Sequence, residues 1–375
     1  MQATDTPSTA ASPPRPGTAP AVAPRAGRER HPRTLQLVQF LAAAVWYLCA
    51  RAISATVANV LALRFDLSDT QPLIYALLLL FLVVVGLSLL RSMEDRSIEA
   101  RAPLRTALGL PKRVTSREEW TMGAALGWGL AVAAVLPMAL TRSLNVQLWT
   151  APHAFYLLGL SLLTLAAATL AHALAIYGFG FQRLIAATGP VRATLFLIFV
   201  LAAAHATVAP PYGTPEGTRV LVDMLMTLLL CLCWLRTHGV WLLWGLNFAW
   251  AASTAVLFGL PIAGDASFGS VVDTRAAGQA WLTGGAYGPA AAAFSILVLL
   301  AAIPVLVRVT RDYAWDYTHL PIVPGGYDVT IAPPAAHAAM EQAAATASAS
   351  SLVQIQPLQM QQAAPSIPAA DSVPE

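Results

Sequence analysis

The chain has very few charged residues for its length. Asp, Glu, Lys and Arg make up 11% of the 375 residues, whereas hydrophobic residues make up 57% and the mean hydropathy is +0.62. An ordinary globular protein carries about 25% charged residues. So few charges could not cover a water-soluble fold of this size, which excludes a soluble enzyme and predicts a polytopic membrane protein.

Cysteine and lysine are also scarce. The three cysteines, Cys49, Cys231 and Cys233, all fall in apolar runs, so the chain has neither a disulfide framework nor a CxxC metal site. Lys112 is the single lysine, and the net charge is only +3. The basic residues cluster in particular loops and not on one face. We therefore expect a lipid bilayer as the partner and no nucleic acid.

Three regions follow from the distribution of apolar residues. Residues 1–33 are rich in Pro, Ala, Thr and Arg and contain no apolar run, so they predict a disordered cytoplasmic arm and not a signal peptide. Residues 313–375 are a low-complexity tail of Ala, Gln, Ser and Pro, also predicted to be cytoplasmic. The transmembrane domain is predicted over 34–312.

Within this domain, eight apolar segments are long enough to cross a bilayer, which takes about 20 residues each. The first and fourth are long, which suggests tilt, and the sixth is short. The sequence thus predicts an all-α bundle of about eight transmembrane helices, with a Gly-rich loop over 264–288. The segments are residues 35–63, 72–90, 120–140, 154–182, 193–209, 220–235, 239–258 and 289–307.

Basic residues predict the orientation of these segments. With both termini in the cytoplasm, 17 of the 22 basic residues lie inside and four lie outside, while Arg51 lies within the first segment. Cytoplasmic loops of membrane proteins carry such an excess of Arg and Lys. The pattern therefore predicts an even number of spans with both termini cytoplasmic.

Acidic residues are missing from the middle of the chain. No Asp or Glu occurs between Glu119 and Glu216. Glu118 and Glu119 precede a long apolar segment, where a solvated helix start favoured by the helix dipole is the expected role. We therefore expect no carboxylate close to the polar residues of the central helices.

Three polar side chains are predicted inside the membrane: His172, His205 and Asn247. Counted from the cytoplasmic ends of their segments, they lie about 15, 18 and 12 Å deep. A similar depth predicts one shared cluster, which serves either as interhelical hydrogen bonding or as a ligand or catalytic site. Two histidines and an amide without a carboxylate make a poor metal site. We expect no metal and no cofactor.

Several motifs in this region resemble a known family. The motifs of this family are EExxxRG in one span, FxxxH in the next, and a later HxxxN helix that ends in a Gly-Leu-Pro turn. The corresponding stretches here are HALAIYGFGFQRL at 172–184, GPVRATLFLIFVLAAAHA at 189–206, THGVWLLWGLNFAWAASTAVLFGLPIAG at 237–264 and TGGAYGPAA at 283–291. An LGLP sequence also precedes a long span, as is typical of the family. Residues 105–310 thus resemble the CAAX protease and bacteriocin-processing (CPBP) family of intramembrane endopeptidases.

The resemblance implies that the site has changed. His172 and Ala173 occupy the positions of the family's two glutamates, and Tyr177 occupies that of its arginine. Of the expected catalytic set only His205 is retained, and the candidate pocket comprises His172, Ala173, Tyr177, His205, Asn247 and Ala251. Asn247 stands where the family has a second histidine, and Ala251 where it has an asparagine.

Three functions remain open on this evidence. The first is a catalytically decayed protein that binds or escorts a membrane-associated peptide or protein, or serves as a subunit of a membrane complex. The second is an active but divergent endopeptidase in which His172 replaces glutamate as the base. The third is a small-molecule transporter, although no inverted repeat is evident. The resemblance implies the plasma (inner) membrane of a bacterium.

Overall fold

A computed structural model of the chain describes residues 33–92, 104–148, 152–311, 339–340 and 342–343. The predicted N-terminal arm, apart from Arg33, and nearly all of the predicted tail lie outside the described residues. The chain divides into two units, residues 1–320 and 321–375. In the second unit the four described residues are helical.

The described part of the first unit consists mostly of helices. Two of them continue into π-helical segments, Ala173–Gly180 after α5 and Ser253–Leu257 after α9. The helices are α1 (Arg33–Phe65), α2 (Gln71–Ser92), α3 (Leu104–Ala107), α4 (Ser116–Leu140), α5 (Pro152–His172), α6 (Phe181–Thr188), α7 (Pro190–Ala206), α8 (Glu216–Thr237), α9 (Trp241–Ala252), α10 (Ala280–Thr283) and α11 (Ala293–Val309).

Five helical stretches are long and apolar enough to span a membrane. They are Arg33–Phe65, Ser68–Ser92, Ser116–Leu140, Phe155–Thr188 and Glu216–Thr237, and three shorter apolar helices are Pro190–Ala206, Trp241–Leu257 and Ala293–Val309. The all-α class is therefore confirmed. The predicted length of the first and fourth segments is also confirmed, because the corresponding helices measure 33 and 34 residues. Each of the eight predicted segments coincides with one of these helices, whereas the number that crosses the bilayer stays a prediction.

The outer surface of the helices is apolar. Leu48, Phe81, Phe199 and Leu297, each on a different helix, are 61–64% exposed. Contiguous exposed apolar surface of this kind is rare on soluble monomers. It is the surface expected of helices that lie in lipid, and it agrees with the membrane class predicted from composition.

Glycines bring α4 and α9 into close contact. A Cβ atom added at Gly123 would lie 2.1 Å from the carbonyl oxygen of Leu242, and one added at Gly127 would lie 2.1 Å from that of Leu246. Gly245 of α9 approaches the Trp120 carbonyl oxygen in the same way. Small residues four apart allow helix backbones to approach closely in membranes. This contact fixes the position of α9, which carries Asn247.

The LGLP sequence at 108–111 packs against two of the other family-like stretches. A Cβ at Gly178 would lie 2.2 Å from the Leu108 carbonyl oxygen. The amide of Val240 donates to the Gly109 carbonyl oxygen at 2.8 Å, and the indole of Trp241 donates to that of Pro111 at 3.2 Å. The segment therefore links the π-helix after α5 to the start of α9.

The predicted Gly-rich loop over 264–288 contains regular structure. Its residues Val272–Ala276 form strand β2, which pairs antiparallel with β1 (Leu144–Leu148). The register runs from Leu144 opposite Ala276 to Leu148 opposite Val272. This two-stranded sheet ties the connection after α4 to the connection before α11.

Candidate functional site

Two of the family-like motifs coincide with the π-helical segments. The first segment, Ala173–Gly180, begins immediately after His172 and contains Tyr177. The second, Ser253–Leu257, begins two residues after Ala251. Departures from α-helical geometry inside a helix frequently occur at functional sites. The backbone therefore supports these two stretches as the place to look for a site.

His172 lies in a group of aromatic side chains. Its Nδ1 atom is 3.3 Å from the Tyr47 hydroxyl of α1, and either group can donate the hydrogen bond, depending on the histidine tautomer. The Tyr177 ring lies 5.7 Å from the His172 ring, centroid to centroid. Tyr177 is fully buried and also faces Thr227 of α8. His172 is thus held between α1 and the π-helix.

Two basic side chains interact electrostatically with His172. They are Arg51, one turn after Tyr47 on α1, and His205 of α7. Arg51 also interacts with Tyr47 and with Tyr75 of α2. The surroundings of His172 are therefore basic and phenolic.

His205 has a carboxylate partner. Its Nδ1 lies 3.2 Å from Oδ2 of Asp223 on α8, and its backbone oxygen accepts a hydrogen bond from the Arg219 guanidinium at 3.0 Å. Arg219 is only 3% exposed. The expectation of no carboxylate near the central polar residues is therefore wrong. α8 follows α7 as its antiparallel neighbour and places Asp223 beside His205.

His205, Asp223 and Arg219 form a second group of polar residues, and Tyr287 adds to it from the loop before α11. The Arg219 guanidinium carbon lies 5.5 Å from the centre of the Tyr287 ring. Burial, followed by the nearby Asp223 carboxylate, raises the pKa of the Tyr287 hydroxyl above its usual value. The hydroxyl therefore stays protonated at neutral pH and can act as a hydrogen-bond donor.

The two histidines lie at matching levels on neighbouring helices. His172 is 16 residues before Thr188, where α6 ends, and His205 is 15 residues after Pro190, where α7 begins. At a rise of 1.5 Å per residue, both lie about 22–24 Å from the tight turn that joins these helices. Together with their electrostatic interaction, this arrangement favours the predicted proximity of His172 and His205.

Asn247 does not share the contacts of the histidines. It is half-buried, and its side chain forms no hydrogen bond within the described part of the chain. Ala173 is buried beside His172, and Ala251 packs with Leu165 and Ala255. The structure thus joins His172 to Tyr47 and Tyr177. It stays a prediction that Asn247 shares one cluster with His172 and His205.

Glu119 does not have the role expected from the sequence. It is 0% exposed, whereas a solvated helix start was predicted, so that prediction is wrong for Glu119 and holds for the exposed Glu118. Its Oε1 accepts a hydrogen bond from the Thr115 hydroxyl at 3.0 Å and lies 3.6 Å from the Arg113 guanidinium. These partners compensate the burial of the charge. Glu119 therefore anchors the beginning of α4.

Metal binding finds no support in the geometry. Across the described ranges, no group of three or more His, Cys, Asp and Glu side chains could hold a metal ion.

Sequence reasoning gave no role in the site to several residues of the two polar groups, among them Tyr47, Arg51, Arg219 and Asp223. Arg51 was visible as a basic residue within an apolar segment but received no role. Asp223 lies in the sixth segment, and the antiparallel pairing of consecutive helices could have placed it near His205. Tyr47 gave no signal, because a tyrosine in an apolar helix is also an ordinary packing residue.

The chain was compared with protein-family models, with curated proteins and with solved structures, and none of the three comparisons found a match.

Proposed function

We propose that the chain is a CPBP-like integral membrane protein with a degenerate peptidase site that binds or escorts a membrane-associated peptide or protein. In this proposal eight helices cross the plasma membrane of a bacterium and both termini are cytoplasmic. The observation that carries the proposal is the environment of His172. The side chain at the position of the family's first glutamate contacts two tyrosines, and the charged groups that face it are basic.

This environment does not suit the chemistry that the resemblance implies. A glutamate that activates water for attack on a peptide bond acts as a general base, which contributes about 10²–10⁴ in rate. Stabilisation of the oxyanion contributes about 10²–10³ more. Ala173 has no functional group, and Tyr177 cannot supply the positive charge of an arginine. Several contributions to the rate are therefore lost together, although the individual losses need not add.

Peptide binding needs less from the site than catalysis does. The helices hold half-buried polar groups, His172 and Asn247, within an apolar interior. A polar group within a membrane protein is costly unless it has a partner or a function. A site of this kind can recognise the backbone or a polar end of a peptide without cleaving it.

One observation favours a second candidate, an active but divergent endopeptidase. The carboxylate of Asp223 lies 3.2 Å from Nδ1 of His205, the one residue retained from the family's catalytic set. A carboxylate beside one ring nitrogen can orient a histidine so that the other nitrogen faces a substrate. His205 would then act as the base, and cleavage would depend on both side chains.

The test uses the full-length protein in maltoside micelles with two fluorescent probes, a farnesylated tetrapeptide and a leader-type peptide. Binding is measured by anisotropy and cleavage by mass spectrometry. We expect at least one probe to bind and neither to be cleaved faster than by an unrelated membrane protein. Cleavage that disappears in both His205→Ala and Asp223→Asn would overturn the proposal in favour of the second candidate. Absence of binding by both probes would contradict a peptide-binding role.

A restoration variant tests the scaffold directly. It combines His172→Glu, Ala173→Glu, Tyr177→Arg, Asn247→His and Ala251→Asn. Cleavage by a well-folded variant, with none by the parent, would support a degenerate site on an intact scaffold. A matched control omits only the two glutamate substitutions and should remain inactive, because it lacks the base.

A further inference from the structure

Arg51 lies at a depth where a charged side chain is unusual. Two hydrogen bonds align α1 with α2: the Trp46 indole donates to the Leu82 carbonyl oxygen at 2.9 Å, and the Gln71 amide donates to Asn59 Oδ1 at 2.7 Å. Leu82 lies at the middle of α2, whose 22 residues extend about 33 Å. Arg51 follows Trp46 by five residues and lies only about 7.5 Å from that level. This places it within a hydrocarbon core about 30 Å thick.

The partners of Arg51 do not neutralise its charge. Its guanidinium interacts with the hydroxyl groups of Tyr47 and Tyr75. Within the described ranges, no Asp or Glu lies within ion-pair distance of it. The side chain is also exposed on the protein surface. A charged group at this depth faces the bundle interior, or a cavity, and has a counter-charge in almost all membrane proteins. The described protein supplies no counter-charge for Arg51.

The surrounding groups increase the positive character of the site. His172 accepts or donates a hydrogen bond with Tyr47, and both Arg51 and His205 interact with it electrostatically. The Asp223 carboxylate lies beside His205. The guanidinium is a donor only and carries a full positive charge, whereas the phenol hydroxyls can donate as well as accept, so the missing partner is an acceptor with negative charge.

A carboxylate fits this arrangement. A guanidinium presents its N–H groups in a planar fork that matches the two oxygens of a carboxylate. The Tyr47 and Tyr75 hydroxyls can add further bonds to the same group. Lipid phosphates lie at the membrane surface, whereas a carboxylate at the end of an apolar chain can enter the hydrocarbon region.

We propose that Arg51, Tyr47 and Tyr75 bind the carboxylate of an apolar ligand between α1 and α2. Two sources share this chemistry, a free fatty acid and the C-terminus of a hydrophobic peptide. The second source rests on the proposed function, because it makes the carboxylate the polar end by which the bound peptide is recognised. The first source is independent of the proposed function.

The test compares acids with neutral analogues on the unmodified protein. The full chain in maltoside micelles, which contain no phosphate, is titrated with oleate and with oleyl alcohol. A second pair of titrations uses the farnesylated tetrapeptide with a free C-terminus and its C-terminal amide. In at least one pair, we expect the acid to bind at least about ten-fold more tightly than its neutral analogue, because the neutral analogue loses a charged hydrogen bond.

Variants then assign the preference to Arg51. Arg51→Gln should abolish the acid preference, Arg51→Lys should retain part of it, and Tyr75→Phe should weaken it. Arg64→Gln is the matched control, because Arg64 lies on the same helix in its last turn and is exposed. It should bind both members of each pair as the parent does. The comparison of acid with neutral ligand on the parent remains decisive if a variant fails to fold.

The outcomes separate this inference from the proposed function. Equal binding of acid and neutral ligand in both pairs overturns the carboxylate site, and it leaves peptide binding intact if both peptides bind. An Arg51-dependent preference for oleate without peptide binding supports the carboxylate site and contradicts the peptide-binding role. An Arg51-dependent preference for the free-acid peptide supports both. A preference that survives in Arg51→Gln assigns the carboxylate to another group and overturns the inference.

Discussion

Substitution of Gly127 by alanine should loosen the contact between α4 and α9. A Cβ atom at this position would lie 2.1 Å from the Leu246 carbonyl oxygen. That distance is about 1.3 Å shorter than the lower limit of ordinary contact, 3.4 Å. Because the opposing atom belongs to the backbone of a helix, it cannot rotate away as a side chain would. The two helices must therefore move apart by about 1 Å or bend.

The size of the change in stability follows from two opposing effects. Overpacking of a well-packed interface costs about 1–3 kcal/mol, whereas replacing glycine by alanine within a helix gains up to about 1 kcal/mol. Gly129 lies on the same helix, and a Cβ there meets nothing within 4 Å. Gly129→Ala should thus show the gain in helix stability without the cost of overpacking. The two variants should differ by about 1–3 kcal/mol in stability, with Gly127→Ala the less stable.

The assay is thermal unfolding of the full chain in detergent, followed by size-exclusion chromatography of the soluble fraction. The parent, Gly127→Ala and Gly129→Ala are compared in the same preparation. We expect Gly127→Ala to unfold at a lower temperature than the parent and Gly129→Ala at the same or a higher temperature. If both alanine variants unfold together, α4 and α9 do not touch at this point, and the argument for the position of Asn247 fails with it.

Two further predictions concern topology and pH. Reporter fusions after residue 33 and after residue 320 should both report the cytoplasm, and an outside signal from either would contradict the eight-span topology. Partial burial and the nearby Arg113 lower the pKa of His238 below its usual value, so the folded state disfavours its protonated form. Stability should therefore fall as the pH drops below about 6.5, where His238 of the unfolded chain takes up a proton. His238 has a left-handed backbone, with a φ of 48°, which Asn also tolerates. His238→Asn should therefore flatten this part of the stability–pH profile, and an unchanged profile would contradict the assignment.

The apolar segments of the sequence were sufficient to locate the helices. A span needs a long run of residues without charges, and such a run can be read along one chain. The lengths of the first and fourth helices were predicted for the same reason. The pairing of β1 with β2 could not be predicted, because the two strands are separated by five helices, α5 to α9, and carry no hairpin signal.

The candidate site was predicted only in part. His172 and Tyr177 were singled out on one helix, but they are five residues apart, about 140° around an α-helix. Regular helical spacing therefore does not predict the contact of their rings, which lies in the π-helical segment that begins after His172. The partners Tyr47 and Asp223 come from other helices and depend on rotation about each helix axis, which hydropathy does not determine. Glu119 was assigned wrongly because its partner, Arg113, lies in a loop whose path the sequence does not reveal.

The π-helical segment after His172 makes the length of this helix important as well as its composition. A π-helix closes its hydrogen bonds over five residues, one more than an α-helix. Each residue of an α-helix turns the chain by about 100° about the axis, whereas a π-helical turn takes up more residues for the same rotation. The close approach of Gly178 to the Leu108 carbonyl oxygen therefore depends on these wide turns. The wide turns therefore set the rotational phase between the half of the helix that ends at His172 and the half that begins at Phe181.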